Sequence, residues 1–222
     1  MNNIYNKNNT CAIIPFYNEV NSIDKIIDET LEYCSYVFTV NDGSTDGSEN
    51  RIRLKNNVKI ILHKKNIGKG KALRSGFEEA IKSNFKFVVT LDADLQHSPK
   101  CIPELINNLS NNDFVIGNRL DDLNNMPLQR IMSNRMTSFL LSQKTRCKIL
   151  DSQSGFRAFR IEALRKILPS KNGFEAESEM IVLAARNHLR IGFTSIPTIY
   201  GDEKSKMKSI QAIVGFIKVL FM

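Results

Sequence analysis

Phe85-Lys86-Phe87-Val88-Val89-Thr90-Leu91-Asp92-Ala93-Asp94-Leu95-Gln96-His97 is the stretch that decides the fold. Its first seven residues are mainly aromatic and β-branched, which predicts a buried strand. The strand runs directly into two aspartates one residue apart. In open α/β sheets, ligands bind outside the carboxyl ends of the strands. Paired carboxylates at such an end present oxygens to a hard divalent cation, Mg²⁺ or Mn²⁺, with Gln96 or His97 able to complete the set. Asp-x-Asp alone occurs by chance in many loops. Set between Val-Val-Thr-Leu and Leu-Gln-His-Ser-Pro, it is a much sharper signal.

Working outward, strands and helices alternate, the pattern of an α/β domain with a mostly parallel sheet flanked by helices. Strands are expected at Cys11–Pro15, Tyr36–Val40, Val58–Leu62, Asp113–Gly117, Phe156–Phe159, Arg190–Ser195 and Thr198–Tyr200. Helices are expected after an Asn21 or Ser22 cap, over Lys71–Lys82, over Met126–Lys144, from Ile161, and over Glu175–Asn187. Four polar clusters follow strands: Pro15–Glu19, Asn41–Asp46, Asp92–Gln96 and Asn118–Arg119. Their recurrence at one kind of position points to a site.

The 222 residues suit one domain, 42% hydrophobic content supplies a substantial core, and at 24% charge nothing in the composition points to disorder. Residues 1–9 are polar and expected to form a loose tail, without the apolar core of a signal peptide. Residues 10–205 form the expected domain and residues 206–222 an amphipathic helix. The net charge of +8 suits nucleic acid, anionic membrane or phosphorylated small molecules. Cys11, Cys34, Cys101 and Cys147 have no metal or redox spacing, so free thiols in a reducing cytosol are expected.

Each further cluster has a plain structural alternative. Asn41-Asp42-Gly43-Ser44-Thr45-Asp46-Gly47 makes a good turn and cap, while Asp42 can also accept from a base or ribose. Asn66-Ile67-Gly68-Lys69-Gly70-Lys71 precedes a helix, so its glycines allow close approach to a diphosphate and its lysines supply charge. It lacks the spacing of a Walker A loop. Arg119, Arg130, Arg135 and Arg157 offer guanidinium forks for phosphate, although singly each reads as a surface residue. Glu175, Glu177 and Glu179 suit a helix N-terminus, with a general base as the functional alternative. Ile210, Ile213, Val214, Ile217, Leu220 and Phe221 form a helical stripe below Lys204, Lys206 and Lys208. It is too short to span a bilayer, which needs about 20 residues. It can pack on the domain, dimerise or lie on a membrane.

Taken in order, these motifs resemble the family 2 glycosyltransferases of the GT-A fold, within them the dolichol-phosphate mannose synthase-like group. The match runs from Ile13-Ile14-Pro15-Phe16-Tyr17-Asn18-Glu19 to Tyr200-Gly201-Asp202-Glu203-Lys204-Ser205 and takes in Ile-Gly-Asn-Arg and Asp-Ser-Gln-Ser-Gly-Phe-Arg. The resemblance implies that Pro15, Tyr17, Glu19 and Asp42 hold the base and ribose. It places the metal on Asp92, Asp94 and Gln96. Arg119 and Arg130, with Ser133, would meet the acceptor phosphate or donor sugar, and Lys204 and Ser205 would close over the donor. Lys69 and Arg157 add charge for phosphate. The implied reaction is an inverting transfer of mannose or glucose from GDP-mannose or UDP-glucose to a polyprenyl phosphate. Asp94, Arg119 and Arg130 carry the chemistry.

Many members of that group bear transmembrane helices after the catalytic domain. A cytoplasmic enzyme with peripheral membrane contact, or a membrane partner subunit, is the corresponding expectation. The rivals are transfer to a saccharide hydroxyl, which needs a general base, and nucleotidyl transfer, which releases pyrophosphate. Nucleic-acid binding ranks last, because no recognised motif accompanies the charge.

Overall fold

A computed structural model describes residues 3–53, 55–121, 126–197 and 209–222, with side chains in the last segment from residue 213. In chain order the elements are β1 (Thr10–Phe16), α1 (Ile23–Leu31), β2 (Tyr36–Asn41), β3 (Val58–Leu62), α2 (Lys69–Lys82), β4 (Phe87–Thr90), α3 (Ile102–Asn108), β5 (Phe114–Asn118), α4 (Leu128–Thr145), β6 (Arg157–Arg160), α5 (Ile161–Leu164), α6 (Glu175–Arg186), β7 (Ile191–Ser195) and α7 (Ser209–Leu220). The seven strands form one sheet in the order β3-β2-β1-β4-β6-β5-β7. Strand β6 runs antiparallel to both neighbours and every other pairing is parallel. The α/β reading of the sequence therefore holds.

Strand β1 shows why apolar runs rather than alternation marked these strands. All seven of its residues are buried, because helices cover both faces of the sheet. Side chains still alternate: Ala12, Ile14 and Phe16 pack with Ile23, Ile26 and Ile27 of α1 and Ile102 and Leu105 of α3. Cys11 and Ile13 pack on the other face with Leu73 and Phe77 of α2 and Met180 and Ile181 of α6. A Cβ at Gly76 would meet Ile13 Cγ2 at 2.5 Å, so α2 lies directly on β1.

Several boundaries differ from expectation. Strand β4 is only Phe87–Thr90, although the Leu91 N–H still donates to Ile13 O at 3.1 Å. Helix α2 starts two residues early, which places Lys69 in its first turn. Ser22 occupies the N-cap of α1, but its hydroxyl donates back to Glu19 Oε2 at 2.9 Å instead of capping. Over its described residues the tail is not loose. The Ile4 and Tyr5 N–H groups both donate to Asn107 Oδ1 at 2.9 Å, and both side chains pack on the core. Local polarity hid this docking because its partner lies on α3. Helix α7 packs against α6 and α4 and buries Val219. The strand expected at Thr198–Tyr200 lies outside the described residues. All four cysteines are free thiols.

A candidate active site at the carboxyl edge of the sheet

Strands β1, β2, β4 and β5 point the same way, so the polar clusters that follow them meet along one edge. Strand β6 runs oppositely, and the loop leading into it, residues 151–156, enters at that edge. Thr90 Oγ1 donates to Gly155 O at 2.8 Å, and Gly117 N–H donates to Phe156 O at 2.9 Å. These bonds fix the loop between the ends of β4 and β5.

Asp92 sits at the centre. Its Oδ1 lies 2.6 Å from Lys69 Nζ, which also lies 3.1 Å from Glu177 Oε1 on α6. Burial opposes the charge on Asp92, but Lys69, with Arg119, holds its carboxyl below the usual range. Burial likewise works against the Lys69 ammonium, and Asp92 and Glu177 more than offset it, raising its pKa well above the ordinary lysine value. Behind Asp92 there is no spare room. A Cβ on residue 155 would stand 2.4 Å from Asp92 Oδ2, so only glycine fits there.

Asp94 Oδ1 accepts from Gln96 N–H at 3.1 Å across Leu95, which is left-handed at φ 60°. Gln96 is half-buried. His97 is 3% exposed and packs against Phe156 with the rings tilted by 41° and their centroids 5.5 Å apart. Among the described residues neither of its ring nitrogens has a hydrogen-bond partner. Burial, opposed by the Asp92 charge, pushes the His97 pKa down to about 4, so the ring is neutral.

The segments assigned to the nucleotide brace one another. Pro15 is buried within β1, while Tyr17 and Glu19 are half-buried just beyond it. Asn18 N–H donates to Ser44 Oγ at 3.0 Å, Thr45 N–H to Asn18 Oδ1 at 2.8 Å, and Glu19 N–H to Ser48 Oγ at 2.8 Å. Asp42 is 3% exposed. Its carboxylate accepts from the N–H groups of Ile67 (3.1 Å) and Gly68 (2.7 Å) and meets His63 Nδ1 at 2.7 Å. Asp42 thus shapes the glycine loop that delivers Lys69, a scaffold role that the ribose expectation did not include.

The arginines separate sharply. Arg119 makes a bidentate pair with Asp151, Nε to Oδ2 at 2.8 Å and Nη2 to Oδ1 at 3.0 Å. Asp151 is fully buried and also accepts from Asn134 Nδ2 on α4 at 2.7 Å. Its burial favours the neutral acid, but Arg119 and Asn134 outweigh that and lower its pKa. The planar fork therefore holds Arg119 in one orientation beside Asp92. Arg157 is a correction. It is 1% exposed, and its guanidinium donates to the carbonyls of Ser154 (2.7 Å), Glu177 (2.8 Å) and Ser152 (2.9 Å). A side chain spent inside the fold cannot meet substrate phosphate, so Arg157 ties the loop to α6. Arg130 and Ser133 lie on the first two turns of α4, where Ser133 Oγ accepts from Gln153 Nε2 at 3.4 Å. Arg135 is exposed on the same helix. Lys204 and Ser205 lie outside the described residues.

Sequence reasoning missed Asn134, which carried no signal of its own, had Asp151 and Gly155 only as members of the Asp-Ser-Gln-Ser-Gly-Phe-Arg motif, and gave Glu177 no particular place. Glu175 and Glu179 stay structural: Glu175 Oε1 accepts from Gly173 N–H at 3.3 Å, and Glu179 Oε2 accepts from Ser170 and Lys171 N–H at 2.8 and 2.9 Å.

The donor set fits a hard cation that completes its shell elsewhere. Among the described residues no three His, Cys, Asp or Glu side chains form a closed cage. Two carboxylates and one amide are what Mg²⁺ or Mn²⁺ takes from a protein when water and substrate phosphate supply the rest.

Residues 11–168 match the profile of glycosyl transferase family 2. The chain is 33% identical over 230 residues to the UDP-N-acetylglucosamine–dolichyl-phosphate N-acetylglucosaminyltransferase of Methanococcus voltae, covering 92% of this chain and 90% of that one. It is 32% identical over 214 residues to the dolichol-phosphate mannosyltransferase of Pyrococcus furiosus, covering 90% of this chain and 60% of that one. Among solved structures, glucosyl-3-phosphoglycerate synthase from Mycobacterium tuberculosis with Mn²⁺, uridine diphosphate and phosphoglyceric acid superposes with a TM-score of 0.75 at 17% identity, over 96% of this chain and 78% of that one. That likeness establishes the GT-A fold. Since the profile spans most of its length and two relatives share about a third of its residues, the chain belongs to glycosyl transferase family 2.

Proposed function

We propose that this protein transfers a sugar from a nucleotide sugar to a polyprenyl phosphate, with inversion at the anomeric carbon. The observation that carries the acceptor class is the state of the α6 glutamates. Glu175 and Glu179 hold backbone N–H groups and Glu177 holds Lys69, so this cluster offers no base for a sugar hydroxyl. A phosphate monoester needs none, because its second pKa near about 6 leaves it a ready oxyanion at neutral pH. The names of both relatives above contain a dolichyl-type phosphate, which supports the same reading.

Asp92, Asp94 and Gln96 would hold Mg²⁺ or Mn²⁺, which when bound neutralises charge on the departing nucleoside diphosphate. Tyr17, Glu19 and the loop shaped by Asp42 border the nucleotide. Lys69 supplies positive charge to the diphosphate. Arg119, oriented by Asp151, and Arg130 at the mouth of α4 reduce the repulsion between the acceptor phosphate and the donor diphosphate.

Exposed apolar residues support the lipid part of this reading. Leu128, Met132, Met136 and Phe139 follow one face of α4 and are between 60% and 70% exposed. Helix α7 adds exposed Ile213, Val214 and Ile217, and Phe221 just after it is exposed as well. A basic protein with such faces suits peripheral contact with an anionic bilayer. No helix among the described residues is long and apolar enough to cross a membrane.

The test incubates the protein with a short polyprenyl phosphate, Mg²⁺ or Mn²⁺ and a panel of GDP-mannose, UDP-glucose and UDP-N-acetylglucosamine, and measures nucleoside diphosphate released. The expected result is release that requires both metal and lipid phosphate and disappears in Asp94→Ala. Release that ignores the lipid but rises with a saccharide would overturn the acceptor assignment, and pyrophosphate as product would overturn the reaction class.

A further inference from the structure

Lys69 and the metal have claims on the same oxygen. Lys69 Nζ lies 2.6 Å from Asp92 Oδ1, while the other oxygen, Oδ2, is backed by the Gly155 backbone. A divalent cation binds carboxylate oxygen at about 2.1 Å, so on Oδ1 it would stand within about 5 Å of the ammonium. The like charges repel, and one carboxylate oxygen serves both poorly.

The backbone beneath Lys69 cannot relieve the conflict. Gly68 N–H is tied to Asp42 Oδ2 at 2.7 Å, and a Cβ at Gly70 would collide with Lys171 O at 2.4 Å and Ala176 Cβ at 2.5 Å. The start of α2 is wedged against the start of α6, so the lysine side chain is the part that can move. Its second anchor, Glu177, is 6% exposed and its carbonyl is fixed by Arg157.

We infer that Lys69 is a resident cation that occupies Asp92 until a nucleoside diphosphate draws it away, and that Glu177 is the positioning residue that keeps it within reach of both. This inference rests on the reading of the site as a metal–diphosphate site. The diphosphate offers the ammonium a stronger anionic partner. Lys69 swings from Asp92 to the phosphates while still paired with Glu177, and Asp92 is released to the divalent ion. When the nucleotide leaves, Lys69 returns to Asp92 and weakens the hold on the metal. Metal and nucleotide thus promote each other's binding through one side chain, beyond their association in solution.

The test measures Mn²⁺ binding from the loss of the free-ion EPR signal, without nucleotide and with UDP or GDP. The proteins are wild type, Lys69→Met, Glu177→Gln, Asp94→Ala and the double variant Lys69→Met/Glu177→Gln, each checked for folding by circular dichroism. The double variant decides, because it removes one positive and one negative charge and leaves the local balance unchanged. It also leaves no stranded Glu177 charge, so it stands if Lys69→Met alone does not fold. The expected result is Mn²⁺ binding at least about tenfold tighter than wild type without nucleotide, with a much smaller further gain on adding UDP or GDP. Glu177→Gln alone should bind Mn²⁺ more weakly than wild type without nucleotide, because Lys69 then rests wholly on Asp92. A double variant that binds Mn²⁺ no better than wild type overturns the exchange. If Asp94→Ala leaves Mn²⁺ binding intact with nucleotide present, the metal–diphosphate reading fails as well; if it abolishes binding while the double variant shows no gain, only the exchange fails.

Discussion

Gly155→Ala should damage this protein through a single contact, and its cost can be worked out from the structure. The backbone at 155 is not left-handed, so alanine is conformationally allowed. Its Cβ would stand 2.4 Å from Asp92 Oδ2 and 2.9 Å from Asp92 Cγ and Oδ1. Carbon–oxygen contacts rest at about 3.3 Å or more, so the carboxylate or the loop must retreat by about 1 Å. Overpacking of this kind costs about 1–3 kcal/mol of stability. Displacing a site carboxylate by about 1 Å costs about 10²-fold in turnover. Asp92→Ala removes the obstacle, so in that background Gly155→Ala should cost almost nothing. Urea unfolding of the wild type, both single variants and the double variant closes the cycle, with an expected coupling of about 1–3 kcal/mol. Equal cost in both backgrounds would refute the reasoning, because the damage would then come from somewhere other than Asp92.

Three further outcomes are expected. Arg157→Met strands three buried carbonyls and should cost about 3 kcal/mol or more in denaturant unfolding, while the molecules that remain folded keep the wild-type KM for donor; a raised KM with unchanged stability would return Arg157 to phosphate binding. Asp151 is held below the usual carboxylate range, so its contribution to stability is complete above about pH 4 and is lost as pH falls further. The stability gap between wild type and Asp151→Asn, measured by urea unfolding, should therefore narrow below about pH 4, and a gap constant with pH would contradict the pairing. Met136→Asp/Phe139→Asp on α4 should lower flotation with anionic vesicles severalfold without changing the thermal midpoint by more than a few degrees, whereas undiminished flotation would move the membrane contact elsewhere.

The inner strands β1 and β4 were legible in the sequence because burial on both faces writes apolar runs directly into it; the half-exposed edge strand Val58–Leu62 was legible from its β-branched residues and was bounded as the structure has it. The helix pattern of α2 could not name its partners: Phe77 meets Phe159 of β6 edge-on, a contact between residues far apart in the chain. The polar clusters at the strand ends were visible for a related reason: a parallel sheet places all its carboxyl ends on one edge, so each motif's local position implied its neighbours. The docked N-terminus was invisible, because polarity read over nine residues says nothing about an asparagine on α3.

What the sequence determined by itself was the class of fold, the family, and which segments border the site, all of which follow from local pattern and motif order. Only the tertiary structure decided what each charged side chain does. A lysine, an arginine or a glutamate looks the same in sequence whether it faces solvent, substrate or a buried partner. Lys69 became a cation on Asp92, Arg157 a buried tie, Arg119 an oriented fork and Glu177 an anchor because folding brought distant carboxylates and carbonyls within about 3 Å of them. At that range, in a partly dry site, the partner sets both the position and the charge.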